Sequence, residues 1–124
     1  MKKIGIILLF IAVILTGCNS TSTNKIVKVN QEEVIELIDG GAILIDVRSL
    51  TEFNQGHIDG AINIDVQSIL EVEDVLTYNN SSINKNKKII VYCRSGSRSN
   101  SAAEKLVDLG YNYVYDFGSM DNWK

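Results

Sequence analysis

Two continuous apolar runs constrain this chain most: AILIDV at residues 42–47 and KIIVY at residues 88–92. Runs this short, rich in β-branched residues and without apolar/polar alternation, predict strands buried in a parallel sheet rather than one face of a helix. Around them the spacing becomes helical. Asn30 is placed to cap a helix with Glu33 at its third position, and Val34, Leu37 and Ile38 give that helix an apolar face that ends at Gly40 and Gly41. Ser49 and Glu52 have the spacing of a capping box for one short turn of helix, which Gly56 stops. A helix is predicted over 66–78, a polar loop over 79–87, and a helix from Ser97 or Arg98 to Leu109 with Ala102, Ala103, Leu106 and Val107 inward and Gly110 just past its end. Short strands at 25–29, 61–64 and 112–115 complete the pattern. Five strands with intervening helices mean an α/β domain on a parallel sheet.

The N-terminus has a separate purpose. Met1, Lys2 and Lys3 form a positive start, residues 4–15 are almost unbroken apolar, and Leu15-Thr16-Gly17-Cys18 closes the run with small residues before a cysteine. Twelve apolar residues as a helix reach about 18 Å, short of a bilayer core of about 30 Å, which favours a signal peptide over a permanent span. The ending resembles the lipobox of bacterial lipoproteins, which implies that residues 1–17 are removed, that Cys18 is lipidated, and that the protein is anchored on the extracytoplasmic side of the cell membrane. Residues 18–24 are then a polar tether reaching on the order of 15 Å, and residues 25–124 are one domain.

Composition excludes several function classes. The chain of 124 residues carries 12 Lys+Arg against 15 Asp+Glu and has no basic run, so the footprint of a nucleic-acid binder is missing. Two cysteines and one histidine, His57, offer neither a disulfide framework nor metal-ligand spacing.

The chemistry concentrates at Cys93-Arg94-Ser95-Gly96-Ser97-Arg98, where a buried strand ends and a polar turn enters a helix. At the carboxyl edge of an open α/β sheet this is where ligands bind. Backbone N–H groups and the helix N-terminus favour an ionised sulfur there, and Arg94 and Arg98 add positive charge, so Cys93 is a candidate nucleophile. Gly96 permits the left-handed backbone that lets amides converge, and Ser95 and Ser97 offer further donors to an anion.

At these residues the chain resembles the rhodanese family of sulfurtransferases. The resemblance rests on Ile45-Asp46-Val47-Arg48 with Glu52-Phe53, on Gly56 through Ile64, on the Cys93–Arg98 loop, and on the ending from Gly110-Tyr111 to Trp123. It implies a three-layer fold, a five-stranded parallel sheet with helices on both faces. It further implies a Cys93 that takes sulfane sulfur from a small anionic donor such as thiosulfate, holds it as a persulfide and passes it to cyanide or a thiol, including a protein thiol. Arg98 and the loop amides then stabilise the donor charge, Arg94 steers the anion, and neither cofactor nor metal is required. Asp46 and Arg48 are expected to fix loop positions, with Arg48 able to pair with Glu52 four residues on, and His57 reads as structural. Two positions depart from the family pattern: Asp59 stands where proline is usual and Ser119 where a second glycine is common. Neither lies in the loop, and both bear on stability more than on activity. The domain is expected to be a monomer.

Two other readings share the loop. A cysteine phosphatase or arsenate reductase uses a similar cradle, but with Cys-x5-Arg where this chain has Arg98 five positions after Cys93. A membrane-tethered persulfide carrier or redox sensor would share the first half-reaction, its exposed thiol modified and then read by a partner.

Overall fold

The computed structural model describes residues 26–78 and 83–124. The signal peptide, Cys18, the tether, Lys25 and part of the polar loop after residue 78 lie outside the described residues. Five parallel strands, β1 (Val27–Lys28), β2 (Ile43–Asp46), β3 (Ile62–Asn63), β4 (Lys88–Cys93) and β5 (Tyr113–Ser119), form one sheet in the order β1-β5-β4-β2-β3. Residues alternate between its faces. On one side Ile43, Ile45 and Val47 join Ile89, Val91 and Cys93; on the other Leu44 joins Ile90 and Tyr92. The first face is covered by α4 (Ser97–Asp108), through Ala102, Ala103 and Leu106, and by Ile69, Val72 and Leu76. The second is covered by α1 (Gln31–Asp39), through Val34, Leu37 and Ile38. This is the three-layer arrangement expected from the sequence, with β4 central and Cys93 at its carboxyl end.

Local signals also hold at atomic detail. Asn30 accepts from Glu33 N at 2.9 Å while the Glu33 side chain accepts from Asn30 N, and Ser49 and Glu52 make the same reciprocal box at the start of α2 (Leu50–Gln55). Gly110 follows the end of α4 at φ 96°, in the left-handed region.

Three elements differ from expectation. The predicted helix over 66–78 is a 3₁₀ segment, Val66–Glu71, followed by α3 (Val72–Tyr78). The apolar residues Val66, Ile69 and Val72 recur at intervals of three, which suits a helix of three residues per turn packed along one line. Strand β1 is a two-residue edge, shorter than 25–29, with both residues exposed. Strand β5 runs four residues past 115, because Phe117 is bulged out between the Val91–Asp116 and Tyr92–Gly118 pairs. Asp116 secures that bulge: it accepts from Gly118 N at 2.8 Å and pairs with Lys28 of β1 at 2.5 Å. Taken singly, an Asp and a Gly argue against a strand.

Ala61 N donates to Ile58 O at 3.0 Å and Gly60 has φ 85°, a type II turn with Asp59 at its second position. Proline fits that position. Asp59→Pro should raise stability by about 0.4–1 kcal/mol by restricting the unfolded chain, read as an increased midpoint in urea with unchanged slope.

Candidate functional site

Strand β4 delivers Cys93 to the sheet edge with no exposed surface, and Gly96 N–H donates to its Sγ at 2.9 Å. Gly96 is left-handed, at φ 96°, and begins α4 without a side-chain cap, which leaves the helix's first amides without a capping side chain. Ser99, buried, donates its hydroxyl to Gly96 O at 3.0 Å and ties the loop to the helix. Cys93, Gly96 and the N-terminus of α4 are thus brought together as the sequence predicts. Arg94, Ser95 and Ser97 lie around them, Arg94 and Ser95 exposed. The arrangement can stabilise negative charge on sulfur or on a small anion by backbone N–H groups.

Arg98 differs from expectation. Its guanidinium forms a bidentate pair with Glu52 on α2, Nη1 to Oε1 at 2.6 Å and Nη2 to Oε2 at 3.0 Å, and Arg94 Nε lies 3.9 Å from Oε2. Glu52 therefore does not pair with Arg48, as the four-residue spacing suggests, because the Arg48 side chain is drawn into the core by Asp46. The hydrogen bond from Arg98, helped by Ser49, lowers the Glu52 carboxyl to about 2. Its folded value lies below its ordinary one, so this pairing favours the fold above the ordinary carboxylate range and is lost as pH falls through about 2. Reciprocally, Glu52 first and the nearby Cys93 also keep Arg98 charged.

Known proteins bear on this geometry. A rhodanese-like domain matches residues 30–124, and a prokaryotic membrane lipoprotein lipid attachment site matches residues 1–19. The chain is 38% identical over 92 residues to a putative mitochondrial thiosulfate sulfurtransferase of Schizosaccharomyces pombe, covering 68% of this chain and 65% of that one. It is 31% identical over 97 residues to the thiosulfate sulfurtransferase GlpE of Haemophilus influenzae, covering 77% and 86% respectively. The human single-domain sulfurtransferase TSTD1 superposes with a TM-score of 0.69 at 26% identity, covering 77% of this chain and 93% of its own.

The chain belongs to the rhodanese-like family.

Behind the loop, the rhodanese-like domain buries an ion pair. Arg48 reaches both Asp46 carboxylate oxygens, at 2.7–3.1 Å, and donates to Gly56 O at 2.6 Å; both side chains are essentially inaccessible. Tyr92 accepts from Ile58 N at 3.1 Å, and burial pushes its phenol well above its ordinary value, with Asp46 adding to the effect. Asn63 donates to the carbonyls of Asp46 and Arg48 at 3.0 and 2.8 Å. His57 stacks on Phe53 at 3.7 Å, with Nδ1 2.9 Å from Phe53 O. A carbonyl only accepts, so that nitrogen carries the proton, and the ring finishes α2 as the structural role for His57 requires. Asp46 and Arg48 bond to each other, Arg48 also bonds to the Gly56 carbonyl, His57 packs on Phe53, and none of these bonds reaches Cys93.

Ser119 corrects the expectation that family departures leave the loop alone. Its hydroxyl donates to Arg94 O and also accepts from Asp121 N at 3.2 Å, so β5 is tied directly to the rhodanese loop. Sequence reasoning missed this link, and it missed Glu52 as the partner of Arg98 across 46 residues. Local spacing exposes neither; the only mark of Ser119 in the sequence is that it stands where a glycine is common.

Proposed function

We propose that this rhodanese-like protein is a thiosulfate sulfurtransferase that carries sulfane sulfur as a persulfide on Cys93. The observation that carries the reading is the Cys93 sulfur held 2.9 Å from Gly96 N–H at the start of α4, the place where negative charge on sulfur is best stabilised. The relatives named thiosulfate sulfurtransferase support the same reaction class. Cys93 thiolate attacks the outer sulfur of thiosulfate; the donor's S–S bond breaks and its electron pair leaves with sulfite. Cyanide or a thiol then attacks the outer sulfur of the Cys93 persulfide, and the Cys93 thiolate leaves. Electrons balance without a redox partner, cofactor or metal. Cys93 has no exposed surface, so a donor reaches its Sγ only when the loop rim moves aside. The test is intact mass after thiosulfate, where an adduct of about 32 Da is expected, followed by thiocyanate release on adding cyanide. An adduct without turnover supports a carrier instead; no adduct sinks the reading.

The lipid attachment site supports a membrane anchor at Cys18, and we place the domain on the extracytoplasmic side, acting as a monomer. Cys18→Ala should move the protein out of the membrane fraction or leave it unprocessed. Unchanged lipid labelling would refute the anchor.

A further inference from the structure

Arg98 lies near the candidate nucleophile and is already paired with a carboxylate. Both arms of its guanidinium fork are taken by Glu52, whose Oε1 is in turn held by the backbone N–H and hydroxyl of Ser49 at 3.4 and 3.1 Å. That pair uses two of the five guanidinium N–H donors, so an anion meets Arg98 only through the remaining N–H groups, beside the Glu52 carboxylate. A dianionic donor must therefore share Arg98 with the Glu52 carboxylate, which repels it. Glu52 also subtracts one charge from the two that Arg94 and Arg98 bring to the rim, and its own side chain remains a quarter exposed there, within reach of an incoming anion.

We infer that Glu52 is a specificity-determining residue: as a built-in anionic ligand of Arg98, it biases the site toward sulfane-sulfur donors carrying a single negative charge or none, such as persulfides and thiosulfonates, over the thiosulfate dianion. This rests on the sulfurtransferase reading and narrows its substrate class. With a thiosulfonate, Cys93 thiolate takes the outer sulfur, the S–S bond of the donor breaks, and a sulfinate leaves with the electron pair. Cys93 persulfide is the product, as with thiosulfate, so the two donors differ in charge and leaving group but not in the bond made. The hydrogen bond from Arg98 holds the Glu52 carboxyl well below its ordinary value, so the carboxylate is charged at neutral pH.

The experiment uses the full chain in a non-ionic detergent, with methanethiosulfonate and thiosulfate as a donor pair and cyanide as acceptor. Wild type should show the higher kcat/KM with methanethiosulfonate. In Glu52→Gln, which keeps a residue suited to the capping box, the ratio of the two kcat/KM values should fall about tenfold, the scale of one unit charge a few ångströms away at a partly exposed rim. The change should come from a lower KM for thiosulfate. A higher KM for thiosulfate in the variant would overturn the inference and make Glu52 a support that merely positions Arg98. A wild-type enzyme preferring thiosulfate tenfold or more would overturn it whether or not the variant folds. Absence of the 32 Da adduct from wild type with either donor is a different failure, that of the sulfurtransferase reading itself.

Discussion

Cys93→Ser should reduce thiocyanate formation to background, a loss of roughly three orders of magnitude or more, and abolish the sulfur adduct while leaving the fold intact. The two halves of that expectation have separate causes. Serine is close to cysteine in size, and its hydroxyl can take over the hydrogen bond from Gly96 N–H, so the apolar cluster that contains Cys93, Val91 and Ala102 loses little. The cost of the smaller, more polar atom is about 1 kcal/mol. Chemistry has no such substitute. A serine hydroxyl does not ionise near neutral pH, and its oxygen cannot exchange a sulfane sulfur as a thiolate does. Far-UV circular dichroism and a urea midpoint close to wild type, together with no adduct by mass, would establish that the sulfur is the reacting atom. Turnover surviving in the variant would remove Cys93 from the mechanism.

The loop itself is legible in the sequence, since a strand that ends in Cys93 and a glycine three residues on are local facts, and the left-handed Gly96 and the buried strand follow from them. The helix caps at Asn30 and Ser49 are legible for the same reason: each is a reciprocal pair three residues apart. What local spacing does not encode is the wiring between segments. Arg48 has a carboxylate two residues before it and another four residues after it, and nothing in the spacing says which it takes. The sheet decides, because Asp46 lies in β2 beside Tyr92 of β4, and Arg48, two residues on, lies over the Tyr92 ring on the same side. Once Arg48 is committed inward, Glu52 on the outer side of α2 is released to Arg98. The bulge in β5 is similarly non-local. Asp116 and Gly118 look like the end of a strand until Lys28 and β4 are placed beside them.

That wiring carries the second large effect. Arg48→Ala should destabilise the domain by about 3–5 kcal/mol, a substantial share of the roughly 5–15 kcal/mol that separates a folded domain from its unfolded chain. The size comes from what is left behind. Asp46 and Arg48 are both buried, and removing the guanidinium strands the Asp46 carboxylate in the interior with the backbone N–H of Arg48 as a remaining donor, at 2.9 Å. It also strips the Gly56 carbonyl of its donor at the end of α2 and opens a void over the Tyr92 ring, 6.0 Å below the guanidinium carbon. Removing the charge from the other side as well tests this account. Asp46→Leu combined with Arg48→Met should recover part of the lost stability, since two packed apolar side chains carry no stranded charge. Activity need not follow stability in the double variant, because Gly56, whose carbonyl Arg48 holds, leads into the segment that Tyr92 anchors at Ile58. A urea midpoint for Arg48→Ala within experimental error of wild type would mean that Asp46 finds other donors, and that the pair is not what fixes the wall of the site.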